Sequence, residues 1–359
     1  MFRYINNSII ILLVSCCSMV GLLNAADCYV VESANPAVAD GSEENPHTNI
    51  NACISAFGGV NNLDDTIYIG PGYYDATNTN VGSISIIGSG VNVTKIYGFS
   101  NCFTNVNGTI KNLAFDKYEY FSNGSNQTAR CSTCIYISGG DDSSSETVVD
   151  IHNVLFEEYS NYSIDINRQF VEIRNNVFAD DRSLNFHSHS NIVFMNNLVL
   201  SNNSFSGVYT SSGSNNKFHN NLFLSDCSMP SFYGSTYNLV YNGNTEVNGI
   251  QYSGNSSCGQ MGENQSSMYF TGFSDLNFVV DTWNIYNIYA SGENTILFDA
   301  GIPDSEFNDA DGSRSDIGIM GGLYPWPSGS GPVITNFSVD PINIQIDGEV
   351  NVNSSARTE

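Results

Sequence analysis

Ile151-His152-Asn153, Ile173-Arg174-Asn175, Phe194-Met195-Asn196 and Phe218-His219-Asn220 are four copies of one pattern: an apolar residue, a variable residue, then Asn. They recur at intervals of 22, 21 and 24 residues, the length of one superhelical turn in a β-solenoid. Ile110-Lys111-Asn112 is an earlier member of the set. Five residues after each apolar origin comes a second apolar position, at Phe115, Phe156, Phe178, Val199 and Phe223. A position that returns at this interval stacks on its equivalents, so the spacing predicts an internal column.

A third short apolar run follows in each turn: Ile164–Ile166, Leu184–Phe186, Val208–Tyr209 and Phe232–Tyr233. Three strands per turn predict three parallel sheets. The triplet Asn falls where the chain turns sharply from one strand to the next, because Asn tolerates the left-handed conformation and its side chain can bond the copies above and below. These repeats resemble the right-handed parallel β-helix family, the pectate-lyase-like fold, with its internal asparagine ladder. The expected fold is therefore all-β: a single-stranded right-handed parallel β-helix of three sheets and roughly ten coils over residues 26–324, with an N-terminal capping helix.

The 359 residues are 41% hydrophobic and only 13% charged, which suits a long core of stacked coils rather than a globule. A formal net charge of −25 excludes nucleic acid and anionic membrane as partners, because phosphate recognition needs a basic surface. It fits a secreted protein in a salty medium, or one that binds cations. Residues 1–25 carry Arg3, an apolar run from Ile9 to Leu23 and a small-residue exit at Asn24-Ala25-Ala26, the pattern of a secretory signal peptide. Leu13-Val14-Ser15-Cys16 also fits a bacterial lipoprotein cleavage box, although the sequence after Cys16 stays apolar where a tether is usually polar. No later segment is long and apolar enough to span a bilayer. The expected location is outside the cell or on its surface.

Cys28, Cys53, Cys102, Cys131, Cys134, Cys227 and Cys258 follow residue 25, and in an exported protein they are expected to be mostly disulfides. The pairs Cys28–Cys53 and Cys227–Cys258 each tie a strand to the helix or long loop after it. Cys131-Ser132-Thr133-Cys134 has zinc or redox spacing, but no second CxxC or HxxxH completes it. A loop disulfide that also involves Cys102 is the simpler reading, with one thiol left over.

Ile50, Cys53, Ile54 and Phe57 fall on one helical face, with Thr48 as N-cap and Gly58-Gly59 as the stop. Such a helix would cover the open end of the first coil. The stretches 65–74 and 84–98 resemble the opening coils of secreted bacterial β-helix proteins, with Asp65-Thr66-Ile67-Tyr68-Ile69 before Pro71-Gly72-Tyr73 and then Ile87-Gly88-Ser89-Gly90. Residues 122–130, 139–146 and 242–267 are polar excursions and read as projecting loops, which often carry function.

Ile296-Leu297-Phe298-Asp299-Ala300-Gly301 leads to Asn308-Asp309-Ala310-Asp311-Gly312-Ser313-Arg314-Ser315-Asp316-Ile317-Gly318 and ends at Gly321-Gly322. Residues 296–322 resemble the choice-of-anchor Q domain, the terminal module of surface-displayed bacterial β-helix proteins, departing from it at Ile319-Met320. That implies display at the cell surface or release. Residues 325–332 are a linker by composition. Residues 333–359 alternate like the first strands of an immunoglobulin-like module; about 27 residues cannot close a sandwich of ~100, so a truncated module and a missing anchor are expected.

Three constellations could carry chemistry. Alternation puts the variable triplet residues outward, so Lys111, His152, Arg174, Met195 and His219 should form one external column with neighbours ~4.8 Å apart. Four of these five are basic in a protein with 11 Lys and Arg, which suggests a track for an acidic polysaccharide. The plainer reading pairs Asp150 with His152 and Glu172 with Arg174, two positions back on the same face, as ion pairs of small value.

Glu157, Glu158, Asp180, Asp181 and Asp226 form an acidic turn beyond the Phe column, with Arg182, His187 and His189 nearby. Clustered carboxylates could hold calcium or supply the acid and base of glycoside hydrolysis, or simply face solvent. The Gly-His-Gly and Arg-Ile-Lys motifs of polygalacturonases are missing, and so is the calcium-carboxylate set of pectate lyases. Asp309, Asp311, Ser313 and Asp316 place oxygen ligands around Gly312, which suits calcium, the one cofactor the sequence suggests. The alternative is a turn in which Arg314 bridges the carboxylates.

Fold does not fix function. The leading expectation is a secreted or surface-displayed protein that binds extracellular polysaccharide or cell-surface glycan without catalysis. The alternative is a polysaccharide lyase or glycoside hydrolase acting on an acidic glycan, with Asp180, Asp181, His187 and Arg174 as the residues to test.

Overall fold

The computed structural model describes residues 26–60, 65–122, 124–138, 148–157, 159–167, 170–179, 183–186, 191–199, 205–206, 217–223, 239–241, 245–247, 250–252, 268–270, 299, 301–326, 333–340 and 351–357. Strand dominates, and each repeat lays its strands parallel beside those of the repeat before. Ile110, Ile151, Ile173, Phe194 and Phe218 are successive register partners. So are Phe115, Phe156, Phe178, Val199 and Phe223. The predicted columns are therefore real: an apolar residue at a fixed interval meets its own kind across every ladder.

The strands fall into three series. The first runs through Asp27–Val30, Thr66–Ile69, Ser85–Gly88, the front halves of Thr109–Phe115 and Val149–Phe156, then Val171–Arg174, Ile192–Met195 and Lys217–His219. The second takes Gly72–Asp75, Thr94–Tyr97, the rear halves of the same two long strands, then Val177–Phe178, Leu198–Val199 and Leu222–Phe223. The third contains Thr79–Asn80, Phe103–Thr104, Thr133–Ser138, Tyr162–Asn167, Ser183–Phe186 and Phe205–Ser206. The last of these takes the place expected for Val208–Tyr209, which lies outside the described residues, as does Phe232–Tyr233. Phe103 meets Phe115 edge-on at 5.7 Å, and Phe186 meets Phe194 at 6.3 Å, so the three series enclose one core. Phe115, Phe156 and Phe178 stack at 5.4 and 4.9 Å, and each such buried ring contributes roughly 1.5–3 kcal/mol.

The bend between the first two series is made by Asn112, Asn153, Asn175, Asn196 and Asn220, with φ of 58°, 53°, 52°, 54° and 57°. Their left-handed conformation is as expected. The ladder is not theirs, however: it belongs to the next residue. Asn176, Asn197 and Asn221 are buried, and their Nδ2 groups donate to Ile151, Ile173 and Phe194 carbonyls at 2.9 Å each. Asn197 Oδ1 accepts from Asn176 N, and Asn221 Oδ1 from Asn197 N, both at 3.0 Å. The side chain of the turn residue points the other way.

At the N-terminal end, Ile50–Ala56 is the expected helix, but Asn49 and not Thr48 caps it, accepting from Ala52 N at 2.9 Å. Ile50 and Cys53 are buried on the core, and Cys28–Cys53 is bonded as expected. The free edge of the first strand is met by residues 41–47, since Tyr29 N donates to Gly41 O and Val31 N to His47 O. Cys131 bonds Cys102, so the CxxC segment does not close on itself. Cys227 and Cys258 lie outside the described residues.

Two of the predicted loops contain antiparallel hairpins: Tyr118–Ser122 with Ser125–Ala129, and Thr245–Val247 with Ile250–Tyr252. Val333–Asp340 pairs antiparallel with Asn351–Arg357. Among the described residues, no helix is long and apolar enough to cross a membrane.

Candidate functional site

Pairing aligns the variable triplet residues into one column: Lys111 beside His152, then Arg174, Met195 and His219. Asp150 Oδ2 lies 3.1 Å from His152 Nδ1, and Glu172 Oε2 accepts from Arg174 Nε at 2.9 Å. The column is not an open track. His152 and His219 keep 5% and 8% of their surface, and Met195 is buried. An outward strand face stays wet only where nothing folds over it, and here residues 299–326 do.

The turn asparagines hold that segment. Asn153 Nδ2 donates to Tyr324 O at 3.0 Å, Asn175 Nδ2 to Ile319 O at 3.0 Å, and Asn196 Nδ2 to Asp316 O at 2.8 Å. Asn220 Oδ1 accepts from Ile302 N at 2.8 Å. Close approach requires glycine: a Cβ at Gly321 would sit 2.1 Å from Asp316 O and 2.6 Å from Asn196 Nδ2. Trp326 Nε1 donates to Asn175 O and is buried, so the first residues of the expected linker belong to the folded body. At the far end Phe307 covers His219, with ring centroids 5.9 Å apart, while Lys217 pairs with Glu306 at 2.7 Å.

Lys111 and the end of the described segment face one another. Between them is a cleft of about 280 Å³ lined by Lys111, Asn112, His152, Asn153, Leu323, Tyr324 and Pro325. Tyr324 forms one wall, stacked on His152. Burial, helped by the Asp150 carboxylate, pushes the Tyr324 phenol up, so its hydroxyl remains a donor at neutral pH. Asp150 Oδ1 is buried with no hydrogen-bond partner among the described residues. Lys111 is half-buried, and no described carboxylate pairs with it. The cleft thus offers a cation, an imidazole, a phenol and amides in a protein of net charge −25.

Of the acidic turn, Glu157 is described; Glu158, Asp180, Asp181, Arg182, His187, His189 and Asp226 lie outside the described residues. Glu157 is 3.3 Å from the buried Lys95 Nζ, which also lies 3.6 Å from Asp116. The sequence signal for this group was available: Asp116 follows Phe115 as Glu157 follows Phe156.

Asp309, Asp311 and Asp316, where the sequence suggests calcium, all lie in the terminal segment. No group of three or more His, Cys, Asp and Glu among the described residues is placed to hold a metal. Asp309 accepts from Asp316 N and Gly322 N, Asp311 from Ser313 N, and Asp316 from Asp299 N, so each carboxylate holds backbone of the terminal segment. Arg314 Nε donates to Gly301 O at 2.6 Å.

No protein-family profile, curated protein or solved structure matches this chain.

Proposed function

We propose that the chain is a right-handed single-stranded parallel β-helix of roughly ten coils, exported to the cell surface or surroundings, that binds an acidic polysaccharide in the Lys111–Tyr324 cleft. The observation that carries this reading is the placement of Lys111, with no described carboxylate partner, at the mouth of a cleft walled by Tyr324 and His152. A sugar carboxylate would meet Lys111, and sugar hydroxyls would meet the amides and the phenol. The acidic surface elsewhere repels a long polyanion, so the cleft fits a short uronate stretch rather than a track along the whole column. Export is supported by the two disulfides and by the leader-like residues 1–25.

The test is calorimetric titration with uronate oligosaccharides from pectin, alginate and glycosaminoglycan. Lys111→Ala should weaken binding by about tenfold, as should about 0.5 M salt, while Lys111→Arg retains it. Equal binding by Lys111→Ala would defeat the proposal.

One observation favours a catalytic reading: Asp150 orients His152 from its Nδ1 side. An imidazole so held could take the proton next to a uronate carboxylate, Lys111 neutralising that carboxylate and Tyr324 protonating the departing oxygen. New unsaturated ends that vanish in His152→Ala would establish this second reading.

A further inference from the structure

A different surface carries a second inference, independent of the cleft. In Gly72–Asp75 and Thr94–Tyr97, Tyr74 and Ile96 point into the core, so Tyr73 and Tyr97 point out. Tyr118 and Tyr120, on one side of the hairpin strand Tyr118–Ser122, join them. Tyr97 and Tyr118 are stacked with centroids 4.5 Å apart, Tyr73 lies 5.6 Å from Tyr118, and Phe99 lies 5.7 Å from Tyr120. Five rings thus make one continuous shelf. A cluster that served only to seat the hairpin would bury its rings, yet Phe99 is 58% exposed and Tyr73 39%.

The charge around the shelf is negative. Tyr73 feels the carboxylates of Asp116, Glu157 and Glu32, and Tyr97 those of Asp75 and Glu32. Glu32 reaches the shelf directly, its Oε2 accepting from Tyr73 N at 3.2 Å. Lys95 lies beneath, buried between Asp116 and Glu157 and so committed to them.

We infer that this shelf binds a neutral polysaccharide, a chain of uncharged pyranose residues. The C–H face of a pyranose packs on an exposed aromatic face, which Phe99 and Tyr73 supply while the stacked Tyr97 and Tyr118 support them, and flanking carboxylates accept the hydroxyls that project from the sugar edge. The same carboxylates repel uronates, which separates this ligand class from that of the Lys111 cleft. An apolar peptide would leave those carboxylates facing apolar surface, and so is the poorer occupant.

Affinity electrophoresis and calorimetry of the full chain with a β-glucan, a galactomannan, a xyloglucan and an arabinoxylan test the assignment. The wild type should bind at least one of the four, with Tyr73→Ala and Phe99→Ala each about tenfold weaker. Both side chains are solvent-exposed, so far-ultraviolet circular dichroism and the urea unfolding midpoint should show an unchanged fold. Binding should persist in Lys111→Ala and at about 0.5 M salt. A wild type that binds none of the four, or ring variants that bind like wild type, would overturn it. Failure here alongside salt-sensitive uronate binding removes the shelf alone; the reverse pattern removes the cleft alone.

Discussion

Tyr324 lies flat on His152, ring centroids 4.0 Å apart and planes 7° from parallel. One ring comes from the repeat region, the other from the terminal segment, and Asn153 Nδ2 donates to the carbonyl of the same tyrosine. Aromatic stacking of this kind is worth about 0.5–1.5 kcal/mol beyond the area it buries. We predict that Tyr324→Ala loosens the segment, seen as several-fold faster proteolysis within residues 299–326, whereas Tyr324→Phe keeps the stack and the wild-type rate. An unchanged rate in the alanine variant would show that the asparagine contacts suffice alone.

The attachment of that segment should depend on pH. Burial first, then the negative neighbours Asp309, Asp299 and Asp311, push the Asp316 carboxyl up to about 7 from 3.8, against the opposing hydrogen bond from Asp299 N. A carboxyl whose folded pKa lies above its unfolded one holds its proton more tightly in the folded state. Stability is then full below about pH 4, falls as pH rises, and levels off above about 7. Asp309, raised chiefly by burial, acts in the same direction. Protection of the segment from protease should therefore fall between pH 5 and 8, and Asp316→Asn should flatten that profile. Protection that rises with pH would contradict the assignment.

Asn196 and Asn197 are neighbours in sequence with different work. Asn197 is fully buried: its backbone N and Nδ2 donate to Asn221 Oδ1, its Nδ2 also donates to Ile173 O, and its own Oδ1 accepts twice from Asn176. Asn197→Ala strands several of these groups away from water and should cost about 2–4 kcal/mol in urea unfolding. Asn196→Gly keeps the left-handed turn at φ 54° and loses only the bonds to Ser315 and Asp316, so it should release the terminal segment more than it lowers core stability. Equal effects of the two on the unfolding midpoint would argue that turn and ladder are not separable.

The contrast between these two residues also marks what could be read from the sequence. The repeat was legible because Ile151, Ile173, Phe156 and Phe178 recur at an interval that locks parallel register, and a slip would expose a whole column. One asparagine per turn was expected to serve both the bend and the ladder, since both need the same side chain. Burial of His152 and His219 was not legible, because the exposure of an outward strand position is decided by whatever folds over it, here a segment more than a hundred residues further along for His152. Tyr324 gave no signal, standing next to a Pro/Gly-rich stretch that composition assigns to a linker. The work of Asp309, Asp311 and Asp316 as acceptors for backbone amides was not legible either, since close spacing in sequence does not say whether carboxylates face a cation or the chain itself.

Lys95 provides the sharpest test of the packing outside the repeat triplets. Its side chain is 4% exposed, with Asp116 at 3.6 Å and Glu157 at 3.3 Å, the two carboxylates reached from successive repeats. Removing one partner from such a buried group leaves uncompensated charge, which typically costs about 3–5 kcal/mol, while replacing all the charges together is often close to neutral. Lys95→Met should therefore lower the unfolding free energy by about 3 kcal/mol, and Lys95→Met combined with Asp116→Asn and Glu157→Gln should recover most of that loss. Asp116→Asn and Glu157→Gln without the lysine change should cost less, since each leaves Lys95 one carboxylate. If the triple variant were no more stable than Lys95→Met, uncompensated carboxylate charge would not be the source of the loss.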